Sequence, residues 1–216
     1  MIWRQGLDNR VASFVIHEGD PLTRHPVSRL AAIHYPRGFD IDRLLIDVCS
    51  VAAASGFRLG GLVQMTTGER GGNCATTIHV VDLKTQRVFD IWEDRGACAK
   101  GCRLDERGLA EAEPAIMQAI TDRVDLLVIN RFGRAESLGR GLRTCFEAAI
   151  AADIPVLTAV RAPYDEAWLN FHGGIGSKLL CEVGQVTGWA ASVVTLKREL
   201  VHPQCLSASR GRHFGV

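Results

Sequence analysis

The sequence lacks any apolar run long enough to cross a membrane. A spanning helix needs about 20 mainly apolar residues, and the most apolar region, residues 148–160, is interrupted by Asp153 and Pro155. The N-terminus also has no apolar segment of the kind that a secretory signal peptide carries. We therefore expect a cytoplasmic protein without a membrane span.

An excess of charge of either sign is also missing. The 25 basic and 24 acidic residues give a formal net charge of +1, which provides no overall attraction to nucleic acid or to an anionic membrane. Lysine is scarce, with 4 lysines against 21 arginines. Arginine favours planar, bidentate contacts with oxyanions, although a GC-rich genome would produce the same bias. We expect no nucleic-acid partner.

The seven cysteines have no regular spacing. An odd number without a framework indicates reduced thiols rather than disulfides. Cys98 and Cys102 are separated by three residues, with Cys74 upstream, and this does not match the usual zinc-binding pairs. These three are weak metal candidates. Cys102 is alternatively a redox-sensitive thiol, since Lys100 and Arg103 would lower its pKa, and incidental cysteines are the default interpretation.

Short apolar runs alternate with helical patterns along the chain. Strands are predicted at residues 30–34, 57–65, 77–83, 87–92, 126–129 and 155–160. Helices are predicted from Asp40 or Asp42 to Gly56, at 107–121 and 138–152, from residue 164 or 165, and at 188–200. This order predicts an α/β three-layer sandwich with a mostly parallel sheet and one hairpin. We expect a loosely ordered extension at residues 1–28, one α/β domain at 29–200 and a tail at 201–216.

The stretch from Asp125 to Arg143 is the strongest candidate for a site. A buried strand, residues 126–129, ends at Asn130 in a loop rich in glycine and arginine, and ligands of α/β sheets bind where parallel strands end. Glu136 is expected to hold an arginine in place. The helix predicted at 138–152 would put Arg140 and Arg143 one turn apart. Four arginines would converge there, namely Arg131, Arg134, Arg140 and Arg143.

We therefore predict an anion or nucleotide site at this junction. Glycines allow the backbone to approach a ligand closely, and free N–H groups at a helix start favour an anion. The alternative is an ordinary solvated helix start. The predicted binding residues are Arg37, Gly38, Arg103, Asp105, Asn130, Arg131, Gly133, Glu136, Arg140, Gly141 and Arg143.

The turn at residues 35–42 occupies the place of a phosphate loop, between the first strand and the first helix. A phosphate loop needs several glycines, a lysine and a Ser/Thr for magnesium, whereas this turn has one glycine, no lysine and no hydroxyl. Asp40 and Asp42 would repel a phosphate there by about 1 kcal/mol or more. Asn130 stands where a nucleoside triphosphatase carries an acidic residue for magnesium. Both features exclude ordinary ATP or GTP hydrolysis.

Several motifs resemble a bacterial domain family without an established activity. They are Gly101-Cys-Arg-Leu-Asp105, Gly108-Leu-Ala-Glu-Ala112, Leu127-Val-Ile-Asn-Arg-Phe-Gly-Arg-Ala-Glu136, Gly139-Arg-Gly-Leu-Arg143, Pro155-Val-Leu-Thr-Ala-Val160 and Leu59-Gly-Gly-Leu-Val-Gln64. The resemblance covers residues 29–195. Members of that family are often encoded near molybdate-transport or molybdenum-enzyme genes. The element order is also similar to small P-loop nucleoside-triphosphatases, which implies their fold with a degenerate phosphate loop.

Three functions remain open from the sequence. The first is a protein that binds an oxyanion such as molybdate or tungstate, or a nucleotide, in molybdenum metabolism. The second is a nucleoside triphosphatase that uses atypical residues. The third is a protein-interaction module, whose partner would be a molybdate transporter or a molybdoenzyme component.

Overall fold

The computed structural model describes residues 27–67, 77–92 and 105–201. The strands are β1 (Leu30–His34), β2 (Leu59–Thr67), β3 (Thr77–Asp82), β4 (Val88–Asp90), β5 (Leu126–Ile129), β6 (Val156–Val160) and β7 (Ser177–Leu179). The helices are α1 (Ile41–Ala54), α2 (Glu106–Thr121), α3 (Arg134–Ser137), α4 (Arg143–Ala151), α5 (Asp165–His172) and α6 (Val183–Val201).

All seven strands belong to one sheet in the order β4-β3-β2-β5-β6-β1-β7. The five strands from β2 to β7 in that order run parallel, and β3 and β4 add an antiparallel hairpin at one edge. The predicted three-layer α/β fold with a mostly parallel sheet is confirmed. No helix in the described part of the chain combines the length and the apolar character that a membrane span requires.

Helices cover both faces of the sheet because the central strands are apolar on both sides. In β5, Leu126 and Val128 belong to the core beneath α1 and α6, whereas Leu127 and Ile129 belong to the core beneath α2, α4 and α5. All four side chains are fully buried. This double burial explains why β5 appears in the sequence as an unbroken apolar run.

Asp40 caps α1. Its carboxylate accepts a hydrogen bond from the backbone N–H of Arg43 at 3.1 Å, which settles the choice that the sequence left between Asp40 and Asp42. Leu44 and Val48 are buried on the face of the helix that covers the sheet, whereas Val51 is exposed.

Gly61 in β2 is explained by a close approach of two backbones. Gly61 has a φ of +99°, and a Cβ at this position would lie 2.0 Å from the carbonyl oxygen of Val128 in β5. Only glycine fits there, and β2 continues through it to Thr67.

The prediction of a helix at residues 138–152 is wrong for residues 138–142. The chain instead forms the short α3, then a turn at residues 138–142, and only then α4. Gly139 and Gly141 have φ values of +78° and +61°, and these left-handed conformations interrupt a right-handed helix. In addition, β7 was not predicted, and α6 begins at Val183 rather than Gly188. Residues 1–26 and 202–216, which hold most of the predicted extension and tail, lie outside the described residues.

Candidate functional site

A cavity of about 360 Å³ lies at the carboxyl end of β5, beside β2, β3 and the start of α2. This volume falls in the lower range of small-molecule sites. Its position agrees with the rule that ligands of open α/β sheets bind where the parallel strands end. Most of its walls are apolar and include Leu62, Ile78, Val80, Ile91, Leu109 and Phe132.

A carboxylate from the first turn of α1 organises the polar wall of the cavity. Asp42 accepts hydrogen bonds from Nη2 of Arg131, at 2.8 Å to each of its oxygens, and from Nε2 of Gln64 at 3.0 Å. Nδ2 of Asn130 lies 3.4 Å from the same carboxylate. These contacts join α1, β2 and the end of β5. They also balance the positive charge of Arg131. From the sequence, this charge was predicted to bind an anion.

Within residues 27–67, 77–92 and 105–201, two polar atoms of residues on this wall have no hydrogen-bond partner. They are Oδ1 of Asn130 and Nε of Arg131, both fully buried, and both residues line the cavity. An unpaired buried polar atom costs about 1–3 kcal/mol. One acceptor and one donor are therefore left unpaired within two residues that line the cavity.

Tyr35 closes another side of the cavity. The guanidinium carbon of Arg131 lies 5.9 Å from the centre of its buried ring. Burial raises the pKa of the Tyr35 phenol, and this effect outweighs the opposing charges of Arg131 and Arg161. The phenol is therefore a neutral group at physiological pH.

Two further arginines, Arg134 and Arg161, line the cavity with exposed side chains. Among the described residues, neither guanidinium has a hydrogen-bond or ion-pair partner. Arg161 was not predicted, although it directly follows β6 just as Asn130 directly follows β5. Applying the same strand-end rule to both strands would have found it.

Glu136 has a different role from the one predicted. It is 5% exposed, and its two carboxylate oxygens accept the backbone N–H groups of Gly133 at 2.9 Å and Leu142 at 3.1 Å. Glu136 therefore shapes the loop instead of holding an arginine side chain. Gly141 packs directly against it, because a Cβ there would lie 2.4 Å from Oε1 of Glu136.

Arg140 and Arg143 do not line the cavity, so the predicted convergence of four arginines is wrong. Arg140 is exposed in the turn between α3 and α4, outside any helix. Arg143 forms an ion pair with Glu147 at 3.0 Å. Its guanidinium carbon also lies 4.7 Å from the ring centre of Phe171.

The other predicted residues lie elsewhere or outside the described residues. Arg37 and Gly38 are exposed in the turn between β1 and α1 and do not line the cavity. Asp105 caps α2 by accepting the backbone N–H of Arg107 at 2.9 Å. Outside the described residues lie Arg103, Cys74, Cys98 and Cys102.

The described residues contain no cluster of three or more His, Cys, Asp or Glu side chains that could hold a metal ion. Cys49 and Cys145 are buried, and burial raises the pKa of each to about 12. These two thiols are therefore protonated at physiological pH, and neither is a ready nucleophile.

Comparison with known proteins gives a family and a fold. The family model described as "Protein of unknown function (DUF2478)" matches residues 30–189. A curated relative, the molybdenum import ATP-binding protein ModC 2 of Bradyrhizobium diazoefficiens, is 44% identical over 162 residues. The alignment covers 75% of this chain but only 18% of that protein.

A solved structure agrees with the predicted fold. The solution structure of a human cancer-related nucleoside triphosphatase is similar to this chain with a TM-score of 0.54 and 15% sequence identity. The similarity covers 80% of this chain and 98% of the other. At this identity the likeness concerns the fold alone.

Proposed function

The chain belongs to the DUF2478 family of proteins of unknown function, and we propose that it binds a nucleotide without hydrolysing it and acts in molybdenum import. The observation that carries this proposal is the pair of unsatisfied atoms on the cavity wall, Oδ1 of Asn130 and Nε of Arg131. A ligand with an adjacent donor and acceptor removes the cost of leaving both atoms buried and unpaired.

The cavity fits a nucleotide better than a bare oxyanion. A tetrahedral oxyanion needs several N–H donors, whereas Oδ1 of Asn130 is an acceptor and would repel it. The charge of Arg131 is already balanced by Asp42. The apolar walls suit a flat organic group, while Arg134 and Arg161, which have no ion-pair partner in the described part of the chain, suit an attached phosphate. A nucleotide combines both parts.

Hydrolysis is not expected, because the turn between β1 and α1 cannot hold a triphosphate. Asp40 already accepts the N–H of Arg43 at the start of α1, so a carboxylate occupies the place where a helix N-terminus would bind phosphate. Asp42, in the first turn of the same helix, is already paired with Arg131 and adds no free donor for a phosphate. Asn130 replaces the acidic magnesium ligand at the end of the central strand.

The link to molybdenum import comes from the curated relative. That protein is named a molybdenum import ATP-binding protein, and the segment similar to this chain makes up 18% of it. There the segment is covalently joined to a much longer remainder. We therefore propose that this domain acts together with the ATP-binding subunit of a molybdenum importer and reports nucleotide to it.

Thermal unfolding against a ligand panel tests the proposal. The panel contains ATP, ADP, GTP, molybdate, tungstate, sulfate and phosphate, each with and without magnesium. A nucleotide at about 100 times its dissociation constant adds about 2.7 kcal/mol of stability, and we expect this shift without magnesium and without phosphate release.

Other outcomes of the panel would replace the proposal. A shift with molybdate or tungstate but not with sulfate would identify an oxyanion carrier. Magnesium-dependent phosphate release would identify an atypical triphosphatase. If no ligand shifts the transition while the protein still captures a purified importer ATP-binding subunit, the domain is an interaction module.

A further inference from the structure

We infer that the nucleotide enters this protein base first, with its base in the cavity against Asn130 and Arg131 and its phosphates at the rim on Arg134 and Arg161. The inference rests on the proposed nucleotide binding and adds the orientation of the ligand. It places the phosphates away from the turn between β1 and α1.

The orientation of the Asn130 amide is set by Asp42. An ionised carboxylate only accepts hydrogen bonds, so the NH₂ group of Asn130 must face it, and Nδ2 lies 3.4 Å from Oδ1 of Asp42. The amide oxygen therefore points away from Asp42. It is fully buried, has no partner and belongs to a residue that lines the cavity.

An acceptor in this position selects for the base. A fully ionised phosphate offers no N–H or O–H group, and its oxygens would face the Asn130 oxygen with like partial charge. Every nucleobase carries N–H donors on its edge. The base is thus the part of a nucleotide that can satisfy Asn130.

Arg131 offers the matching donor. Its Nη2 is held by both oxygens of Asp42 at 2.8 Å, while its Nε is buried and unpaired. Because Asp42 balances the charge of the guanidinium group, the Nε–H group of Arg131 resembles an uncharged hydrogen-bond donor. Ring nitrogens and carbonyl oxygens of a base are suitable acceptors.

The walls provide the surroundings that a flat base requires. Leu62, Val80 and Phe132 contribute apolar surface, and the rings of Tyr35 and Tyr164 also line the cavity. Stacking of a base on an aromatic side chain stabilises binding whichever base is present, because every base has a π-face.

The exposed edge of the cavity, here called the rim, carries the positive charges of Arg134 and Arg161. Arg134 begins α3, just after β5, and Arg161 follows β6, the neighbouring strand. Both are exposed at the cavity and unpaired among the described residues. Arginine binds phosphate oxygens through two parallel N–H groups, so this pair can hold the charged end of a ligand whose base is inside.

The turn between β1 and α1 presents the opposite charge. Asp40 lies there as the cap of α1, Asp42 follows in the first turn of the helix where it pairs with Arg131, and Arg37 is the one cation of residues 35–42. A phosphate bound in that turn would face the Asp40 carboxylate, whereas a phosphate at the rim meets Arg134 and Arg161, whose guanidinium groups have no partner among the described residues.

Isothermal titration calorimetry with nucleosides, nucleotides and inorganic triphosphate separates the two orientations. We expect the best nucleoside to bind without any phosphate and triphosphate alone to bind at least tenfold more weakly than the nucleotide. Combined Arg134→Ala and Arg161→Ala substitution should weaken nucleotide binding about tenfold or more and leave the nucleoside affinity unchanged. Arg37→Ala removes one cation from the other turn and should change neither affinity.

Asn130→Ala should weaken nucleoside and nucleotide binding by the same factor, about tenfold. Should this variant fold poorly, the wild-type protein gives the same information with analogues of the best nucleoside in which the N–H donor of the base edge is removed or fully methylated. We expect the analogue without the donor that Asn130 accepts to bind about tenfold more weakly than the parent nucleoside.

The inference is overturned, and nucleotide binding stands, if nucleotides bind while nucleosides do not and Arg37→Ala is the substitution that weakens binding. If neither nucleosides nor nucleotides bind, both the orientation and the proposed function are wrong.

Discussion

Asp42 in α1 and Arg131 at the end of β5 form an ion pair in which Nη2 of Arg131 lies 2.8 Å from both carboxylate oxygens. The two residues are 89 positions apart in the chain, and the side chains of Asp42 and Arg131 are 16% and 34% exposed. This pair fixes the loop after β5 against the start of α1, and with it the polar wall of the cavity.

Asp42→Asn should lower the free energy of unfolding by about 1–3 kcal/mol, because it leaves a shielded guanidinium without its counter-charge. Urea denaturation measures the change. Asp47→Asn is the matched control, since Asp47 pairs with Arg43 on the exposed side of the same helix and should change stability by less than about 0.5 kcal/mol. Equal effects of the two substitutions would contradict this role of Asp42.

Glu136→Gln should lower the free energy of unfolding by about 1–2 kcal/mol. A carboxylate can accept the N–H groups of Gly133 and Leu142 with separate oxygens, whereas a glutamine side chain has only one acceptor and its NH₂ group would face a donor. Glu147→Gln, which breaks an exposed pair with Arg143, provides the control and should cost about 0.5 kcal/mol or less. A larger loss for Glu147→Gln would argue against this account of the loop.

Gly141→Ala should destabilise the protein more than Gly139→Ala does. Both glycines have positive φ, and a left-handed alanine costs about 1–2 kcal/mol. A Cβ at position 139 meets no atom within 4 Å, whereas one at position 141 lies 2.4 Å from Oε1 of buried Glu136. Paired urea titrations should therefore show an additional loss at 141 beyond the shared conformational cost. Identical losses would mean that Glu136 moves aside freely.

We expect protonation of Asp125 to cause most of the decrease in the free energy of unfolding at low pH. Burial alone would raise its pKa, but hydrogen bonds from Arg58 and Arg198 outweigh burial and lower the pKa to about 2. Since the folded state holds the proton more weakly than the unfolded chain does, the stabilisation is complete above about pH 5 and is lost as the pH falls through 2. We expect a loss of about 2 kcal/mol across this range.

Asp125→Asn should make the free energy of unfolding less dependent on pH. Urea titrations repeated between pH 2 and pH 6 measure this dependence. Asp153→Asn, at an exposed carboxylate beside Arg29, should leave the slope in place. If the Asp125→Asn profile is as steep as the wild-type profile, other carboxylates control the acid transition.

Local sequence signals were sufficient for much of the fold. β5 is apolar on both faces, the first helix begins at one of the two aspartates expected there, and the strands predicted at residues 77–83 and 87–92 pair as a hairpin. Each of these features depends on residues within a few positions of each other. The three residues of β7 are too few to show a period, so that strand could not be recognised.

The site was harder to predict because its essential contacts are long-range. Asn130 and Arg131 were selected from the strand-end rule, and both line the cavity. Nothing local shows that Asp42 neutralises Arg131 from 89 positions away. The apolar pattern after residue 138 looks helical, and it gives no indication that Glu136 binds two backbone N–H groups and forces a turn.

The hairpin of β3 and β4 has a consequence for the kinetics of binding. It forms one wall of the cavity, through Ile78 and Val80, yet it joins the parallel part of the sheet along one side only, at β2. An edge hairpin opens at a lower free energy than the central strands do, although Val80 and Phe89 of this one are buried against α2. If the proposed ligand binds, we expect it to leave through transient separation of this wall while β5 and β6 remain paired, so that its residence time depends on the pairing of β3 with β2 and not on global unfolding.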